Sequence, residues 1–251
     1  MLSLIDYTSL NGNDTQSKIQ AMAEKVNKFP SIFKELKNVG AICVFPPFAE
    51  ILKKTLTPNI TNIACVSACF PASQSFIETK VLETLMCIKN GASEIDIVIN
   101  VGKFLEGNKK EVFDEVKTLK NICGESIHLK VILETGSLKD PNQIWDASLL
   151  AMEAGADFIK TSTGKIETSA TPEAVYVMCK AIKEFNTVNS KKIGLKPAGG
   201  IVTAEDALKF YTVVAETLGT DYCDNKLFRI GASRLANNLL TKIMGSKTEY
   251  F

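Results

Sequence analysis

Short β-rich runs recur along the whole chain and alternate with stretches of helical periodicity. Their centres lie about thirty residues apart, the usual length of one strand–helix unit. Most of the runs are continuous in apolar residues, as expected of strands buried on both faces of a parallel sheet. The predicted strands are Leu4–Thr8, Ala41–Phe45, Asn62–Ser67, Glu94–Val101, His128–Glu134, Phe158–Thr161, Ile193–Pro197 and Phe228–Gly231.

Several of the intervening segments carry helix start signals. Thr171 is followed by a proline and an acid, a typical cap and first turn. The segment Thr203–Asp206 resembles a capping box. Further helices are predicted over Ile77–Lys89, Lys109–Cys123 and Ile144–Ala154.

Eight strand–helix units within 251 residues favour one fold class, an α/β protein built as a closed (β/α)8 TIM barrel. The alternative is a doubly wound open sheet, but the glycine-rich dinucleotide turn that would favour it does not follow the first strand. No linker or low-complexity segment divides the chain, so we predict a single domain over residues 1–251. The polar segment 245–251 is expected to be a mobile C-terminal tail.

The balance of charge excludes two classes of partner. Lys and Arg together number 29 and Asp and Glu 28, so no basic field is available to hold nucleic acid or an anionic membrane. The first residues lack a basic region, and no apolar run is long enough to cross a bilayer. We therefore expect a cytoplasmic protein.

Cysteine and histidine offer little support for a metal site or a nucleophilic triad. The seven cysteines are irregularly spaced, which favours reduced core thiols. Cys65 and Cys69 resemble half of a zinc site, but no second Cys/His pair completes it. The only histidine, His128, is interpreted as a strand-start residue, because no Gly-x-Ser-x-Gly motif accompanies it.

Charged side chains fall on four neighbouring predicted strands. Asp96 lies on the fourth strand, Lys130 on the fifth, Lys160 on the sixth and Lys196 on the seventh. Alternate strand residues point into a barrel, whose interior is normally filled by Val, Ile and Leu. We predict that these four side chains share one interior.

Two roles fit such a group. A buried salt-bridge network is the structural alternative. Three lysines against one acid leave excess positive charge, however, and two ammonium groups about 5 Å apart repel by roughly 3 kcal/mol at an effective dielectric near 20. Such repulsion would lower a lysine pKa from about 10.4 towards about 8. A neutral amine is what Schiff-base formation with a carbonyl compound requires.

Glycine-rich loops at the same end of the predicted barrel suggest a phosphate site. Gly199 and Gly200 follow the seventh strand, and Gly231 and Ser233 follow the eighth, the positions where this fold often binds phosphate. Each glycine pair alone fits an ordinary tight turn. Gly164-Lys165 adds a cation from the loop after the sixth strand, and the combination favours phosphate.

These features together resemble the 2-deoxyribose-5-phosphate aldolase family of class I, Schiff-base aldolases. Phe158–Lys165 and Gly194–Gly200 are similar to its two signature lysine motifs. Matches run in order from near residue 4 to the end. The others are Ile5–Asn11, Ala41–Cys43, Glu94–Asp96, Leu129–Gly136 and Arg229–Ser233.

The resemblance implies reversible cleavage of 2-deoxy-D-ribose 5-phosphate to D-glyceraldehyde 3-phosphate and acetaldehyde, in deoxyribonucleoside catabolism. It implies that Lys160 forms the imine and that Lys196 lowers the pKa of Lys160. Asp96 would relay protons, and Lys130 would hold Asp96 in place. No metal or other cofactor is implied, since the iminium itself is the electron sink. The expected partners are a sugar phosphate and an aldehyde, and a homodimer is left open.

The resemblance also implies the substrate contacts. Asp6 and Thr163 would lie near the sugar hydroxyls. Some relatives carry an arginine after the Gly-Gly pair, where this chain has Val202. Arg234, which follows Ser233, is the expected replacement. The phosphate shell would comprise Gly164, Lys165, Gly199, Gly200, Gly231, Ser233 and Arg234.

Two rival functions stay open at this point. A different Schiff-base aldolase or a transaldolase would use the same lysine chemistry on another sugar phosphate. A barrel that binds sugar phosphates without catalysis would need only the loops.

Overall fold

A computed structural model describes residues 1–251 and contains eight parallel strands arranged around a nearly closed barrel. The strands pair in the order β7-β6-β5-β4-β3-β2-β1-β8. Isolated parallel bridges from Leu195 to Phe228 and from Ala198 to Gly231 join β7 to β8. The strands are β1 (Ile5–Thr8), β2 (Ala41–Val44), β3 (Asn62–Val66), β4 (Glu94–Val98), β5 (His128–Ile132), β6 (Phe158–Lys160), β7 (Gly194–Lys196) and β8 (Ile230–Ala232).

Helices follow each strand and cover the outside of the barrel. The predicted capping signals are confirmed: the Thr171 side chain accepts from Ala174 N, and Thr203 forms a complete capping box with Asp206. The helices are α1 (Gln16–Ile32), α2 (Ala49–Thr55), α3 (Ile77–Lys89), α4 (Val101–Leu105), α5 (Lys109–Cys123), α6 (Pro141–Glu153), α7 (Pro172–Val188), α8 (Ala204–Leu218) and α9 (Leu235–Met244). None of them is long and apolar enough to cross a lipid bilayer.

The predicted barrel and all eight predicted strands are confirmed, with several boundaries misplaced. The fifth strand ends at Ile132 and not at Glu134, and the eighth begins at Ile230 and not at Phe228. The largest error is in the fourth strand. The fourth strand ends at Val98, whereas the apolar run predicts Val101. The reason is local: the Asn100 side chain accepts a hydrogen bond from Lys103 N and caps the short helix α4. A strong cap therefore outweighs the β-propensity of Ile99 and Val101.

The strands present different residues to the two sides of the barrel wall. Ile95 and Ile97 pack outward in the main core between barrel and helices. On the inside, β2 and β3 contribute a separate cluster that includes the small residues Ala41, Cys43 and Ala64. Small side chains on this part of the wall leave room for the longer charged side chains from the other strands.

The last residues pack against the outside of the barrel. The Phe251 ring lies 5.2 Å from that of Tyr7 and 5.3 Å from that of Phe29, measured between centroids. The Tyr250 hydroxyl donates to Lys25 O at 2.6 Å, and Asn237 Oδ1 accepts from both backbone N–H groups. The predicted mobility of the tail concerns its dynamics and stays a prediction.

Candidate active site

The four charged residues predicted to share the interior do converge on one carboxylate. Asp96 is fully buried, and its Oδ1 lies 2.8 Å from Lys130 Nζ. Its other oxygen, Oδ2, lies 2.8 Å from the Nζ atoms of both Lys160 and Lys196. The two amines are therefore separated by no more than twice that distance. Their strands explain the meeting, since Lys160 and Lys196 are register partners on β6 and β7.

A second layer of charge lies beneath this group, and of its members only Asp6 was predicted as a site residue, as a contact of the sugar hydroxyls. Arg229, just before β8, lies 2.6 Å from Asp6 and 2.9 Å from Glu94. Glu94 also lies 2.6 Å from Lys130. Asp6 contacts Lys196 directly. Strand parity could have indicated both of these residues, because Glu94 shares a face with Asp96 and Arg229 alternates with Gly231 on the predicted eighth strand.

The larger network changes the balance of charge. Three acids and four bases now meet inside the barrel, so the excess is a single positive charge if all are ionised. A buried uncompensated charge is costly. Loss of one proton from one lysine removes the excess, and the surroundings of each lysine decide which one loses it.

Burial and neighbouring charges separate the two lysines. Burial lowers the pKa of Lys160, and Lys196 lowers it further, while Asp96 opposes this without reversing it. Burial also acts to lower the pKa of Lys196, but Asp6 and Asp96 together raise it above the ordinary value. Lys160 is therefore the amine that more readily becomes neutral, and Lys196 is the one that keeps its proton.

A cavity of about 230 Å³ opens above the network at the C-terminal end of the strands. Its wall carries three basic side chains, Lys160, Lys165 and Arg234, and no carboxylate. All the residues expected to contact phosphate line it. They are Gly164, Lys165, Gly199, Gly200, Gly231, Ser233 and Arg234.

Lys160 is the only member of the charged network that lines this cavity. Thr163 lines it as well, and its expected contact with the substrate stays a prediction. Asp6 does not: its side chain is fully buried below, paired with Lys196 and Arg229. The structure therefore places Asp6 within the buried charge network and not at the cavity wall, where it was expected to lie near the sugar hydroxyls.

Backbone conformation shapes the glycine-lined side of the cavity. Gly164, Gly199 and Gly200 all have positive φ, at 74°, 85° and 77°. A Cβ on Gly199 would lie 2.5 Å from Ser169 Oγ, so only glycine fits there. Arg234 stands exposed at the start of α9. Lys165 Nζ donates to Leu10 O across the cavity.

One further polar contact behind the cavity wall was missed. Glu134, which follows β5, is buried and accepts hydrogen bonds from Thr163 N at 3.1 Å and from Thr163 Oγ1 at 2.5 Å. Thr163 Oγ1 in turn accepts from Lys165 N at 3.0 Å. Strand alternation places Glu134 on the inner face, but it does not reveal this partner.

The remaining sequence candidates lie elsewhere. His128 is the exposed first residue of β5, at the opposite end of the strands from the cavity, as its interpretation as a strand-start residue predicts. Cys65 is buried on β3, and Cys69 lies in the loop beyond it. No group of three or more His, Cys, Asp and Glu side chains is arranged to hold a metal ion.

The barrel and its amine-lined cavity define a (β/α)8 enzyme whose site lies at the C-terminal face. The family model of DeoC/LacD family aldolases matches residues 1–232, and the chain belongs to that family.

Two relatives and one solved structure agree with this family assignment. A putative deoxyribose-phosphate aldolase of Caenorhabditis elegans is 43% identical over 96% of this chain and 79% of its own length. A deoxyribose-phosphate aldolase of Homo sapiens is 40% identical over the same shares. The crystal structure of a putative deoxyribose-phosphate aldolase from Coccidioides immitis has a TM-score of 0.80 at 27% identity, covering 95% of this chain and 85% of that one.

Proposed function

We propose that this protein cleaves 2-deoxy-D-ribose 5-phosphate reversibly to D-glyceraldehyde 3-phosphate and acetaldehyde, through a Schiff base on Lys160. The observation that carries the proposal is the position of Lys160. It is the only amine that both joins the buried network and lines a cavity whose other cations suit a phosphate. The names of the relatives support the choice of substrate.

The geometry supports an order of steps. Neutral Lys160 attacks the C1 aldehyde of the open-chain sugar, and loss of water from the carbinolamine gives an iminium. Cleavage of the C2–C3 bond sends its electron pair into the iminium, while the C3 hydroxyl loses its proton and becomes the aldehyde of the departing triose phosphate. The enamine that remains is protonated at C2 and hydrolysed to acetaldehyde.

Asp96 and Lys196 assist these proton movements. Asp96 Oδ2 contacts both amines, so it can pass a proton between them, directly or through a water molecule. Lys196 stays cationic next to Asp6 and favours the neutral form of Lys160. Lys130 fixes the other oxygen of Asp96 and so holds its carboxylate in orientation.

The phosphate end is held by the loops. Backbone N–H groups at Gly164, Gly199 and Gly200, with the Ser233 hydroxyl, suit a dianion, and Gly231 lines the same cavity. Lys165 and Arg234 supply its countercharge. Arg234 takes the place of an arginine absent at Val202, because both residues line the same cavity.

The iminium provides the electron sink, so we propose that the reaction needs no metal or other cofactor. Activity that survives dialysis against a chelator is expected. Restoration of lost activity by a divalent cation would contradict this part of the proposal. A homodimer, a cytoplasmic location and a role in deoxyribonucleoside catabolism stay predictions. Sedimentation velocity would measure the oligomeric state.

Borohydride trapping tests the proposal. Reduction in the presence of acetaldehyde should leave an ethyl group on Lys160, located by peptide mapping, and a Lys160→Met variant should not be labelled. An unmodified Lys160 would contradict the Schiff-base mechanism. A labelled Lys160 without cleavage of 2-deoxyribose 5-phosphate would favour an aldolase for another sugar phosphate. Absence of both would favour a binding protein.

A further inference from the structure

Glu134 is a buried acid for which the proposed reaction has no role. Its exposed fraction is 5%, and no Lys or Arg side chain pairs with it. An ion removed from water without a counterion is costly. The only hydrogen bonds to its carboxylate come from the backbone N–H and the hydroxyl of Thr163.

Its backbone conformation is also unfavourable. Glu134 has φ 55° and ψ 57°, in the left-handed region that non-glycine residues rarely adopt. This turn aims the side chain at the loop after β6 instead of along the strand. A strained residue that presents an unpaired acid to a single neighbour suggests a functional constraint on that neighbour.

The neighbouring segment is the one that carries the phosphate contacts. Thr163 Oγ1 accepts from Lys165 N, so the carboxylate, the hydroxyl and the Lys165 backbone form one hydrogen-bonded chain. On its other side, the segment after β6 is tied to β7: Thr161 Oγ1 accepts from Ala198 N at 3.0 Å. Glu134 supplies the support from the β5 side.

We propose that Glu134 is a positioning residue that holds Thr163, Gly164 and Lys165 in the conformation that binds the substrate phosphate. The inference rests on the proposed function, which places phosphate at this loop. Glu134 acts through Thr163, because it does not itself line the cavity. Its loss should therefore weaken the hold on phosphate and leave imine chemistry at Lys160 in place.

Two substitutions and one control test this role. Glu134→Ala removes both acceptors, whereas Glu134→Gln keeps the side-chain volume and one of them. Thr135→Val is the matched control, because the Thr135 hydroxyl is buried next door without a hydrogen-bond partner. Inorganic phosphate binding is measured by calorimetry, and kcat and KM are measured for 2-deoxyribose 5-phosphate and for unphosphorylated 2-deoxyribose.

Glu134→Ala should weaken phosphate binding by about tenfold or more, the effect of losing hydrogen bonds to a charged group. It should lower the preference for the phosphorylated sugar by a similar factor, mainly through KM, and Glu134→Gln should recover part of the loss. Thr135→Val should match the wild type. Acetaldehyde trapping on Lys160 should persist in all three and so report an intact barrel.

An equal loss of kcat/KM for both sugars would overturn the inference, since a merely structural role has that effect. Unchanged phosphate affinity in Glu134→Gln would overturn it even if the alanine variant does not fold. If Glu134→Ala weakens phosphate binding but the wild type does not cleave the sugar, the result would contradict the proposed function alone. A wild-type protein that does not bind phosphate would contradict the inference directly.

Discussion

The division of labour between Lys160 and Lys196 depends on the acids beside each one. Lys160 contacts a single carboxylate, which it shares, and it lies at the cavity wall. Lys196 contacts two, Asp6 and Asp96, and has no exposure. Mutual repulsion alone would depress both pKa values equally. The second acid breaks the symmetry, and in the proposed mechanism one lysine is therefore the nucleophile and the other its charged neighbour.

Arg234 is the exposed cation of the proposed phosphate site. Because it is exposed, its contribution is reduced by solvent screening. We expect Arg234→Ala to raise KM for 2-deoxyribose 5-phosphate by about fivefold to tenfold, or about 1 kcal/mol, with kcat nearly unchanged. Steady-state kinetics check this, and Lys242→Ala, on the last turn of the same helix, is the control. A fall in kcat with constant KM would show that Arg234 acts at the reacting carbon instead.

At the scale of elements, the cavity is built by loops that fasten to one another as well as to their own strands. Thr161 joins the loops after β6 and β7, and Glu134 joins those after β5 and β6. Each link uses a short polar side chain and a backbone group, so the loops need little apolar burial.

The C-terminal segment belongs to the outer layer and not to the cavity. Tyr250 and Phe251 pack on α1, and neither lines the site. Removal of both residues should lower the free energy of unfolding by about 1–4 kcal/mol and leave kcat/KM unchanged, because it removes apolar burial and the hydrogen bonds of the two residues to Lys25 and Asn237. Urea unfolding and kinetics measure the two effects, with Lys247→Ala as an exposed control in the same segment. A loss of activity at constant stability would mean that the tail visits the cavity in solution.

At the scale of the whole molecule, the buried network makes stability depend on pH. Burial raises the pKa of Asp96, but Lys130, Lys160 and Lys196 outweigh it and hold that pKa well below its usual range. Burial also raises the pKa of Asp6, but Lys196, Lys130 and Arg229 outweigh it and lower that pKa. A carboxyl with a depressed folded pKa stabilises the fold above its unfolded value, near 3.9, and loses that contribution as the pH falls further.

The free energy of unfolding should therefore be nearly constant from about pH 7 to pH 5 as far as these two acids are concerned, and fall steeply below about pH 4. Urea titrations at a series of pH values measure this. Equal stability at pH 3 and pH 7 would show that the acids are not paired in solution as they are in the structure.

Strand order, the inward face and the meeting of Asp96 with three lysines could all be predicted, because period and parity are properties of the sequence itself. The depth of Asp6 below the cavity could not be predicted, because parity indicates which side of the strand a residue faces and not how far it lies from the rim of the barrel. Arg229 precedes its strand and reaches its acids across the barrel floor. The left-handed turn at Glu134 likewise follows from packing between loops, and no local signal marks it.

The most direct test of the account is the pKa of Lys160 itself. The rate at which acetaldehyde and borohydride label Lys160 can be followed as a function of pH in the wild type and in Lys196→Leu. A second variant, Lys80→Leu, removes a buried lysine paired with Glu115 outside the site and serves as the control. Wild-type Lys160 is expected to titrate below the ordinary lysine pKa of about 10.4. In Lys196→Leu the pKa of Lys160 should move upward, because the repulsion from the neighbouring ammonium group is lost. A wild-type value at or above the ordinary one, or a midpoint unmoved by the loss of Lys196, would contradict the assignment of Lys160 as the neutral nucleophile.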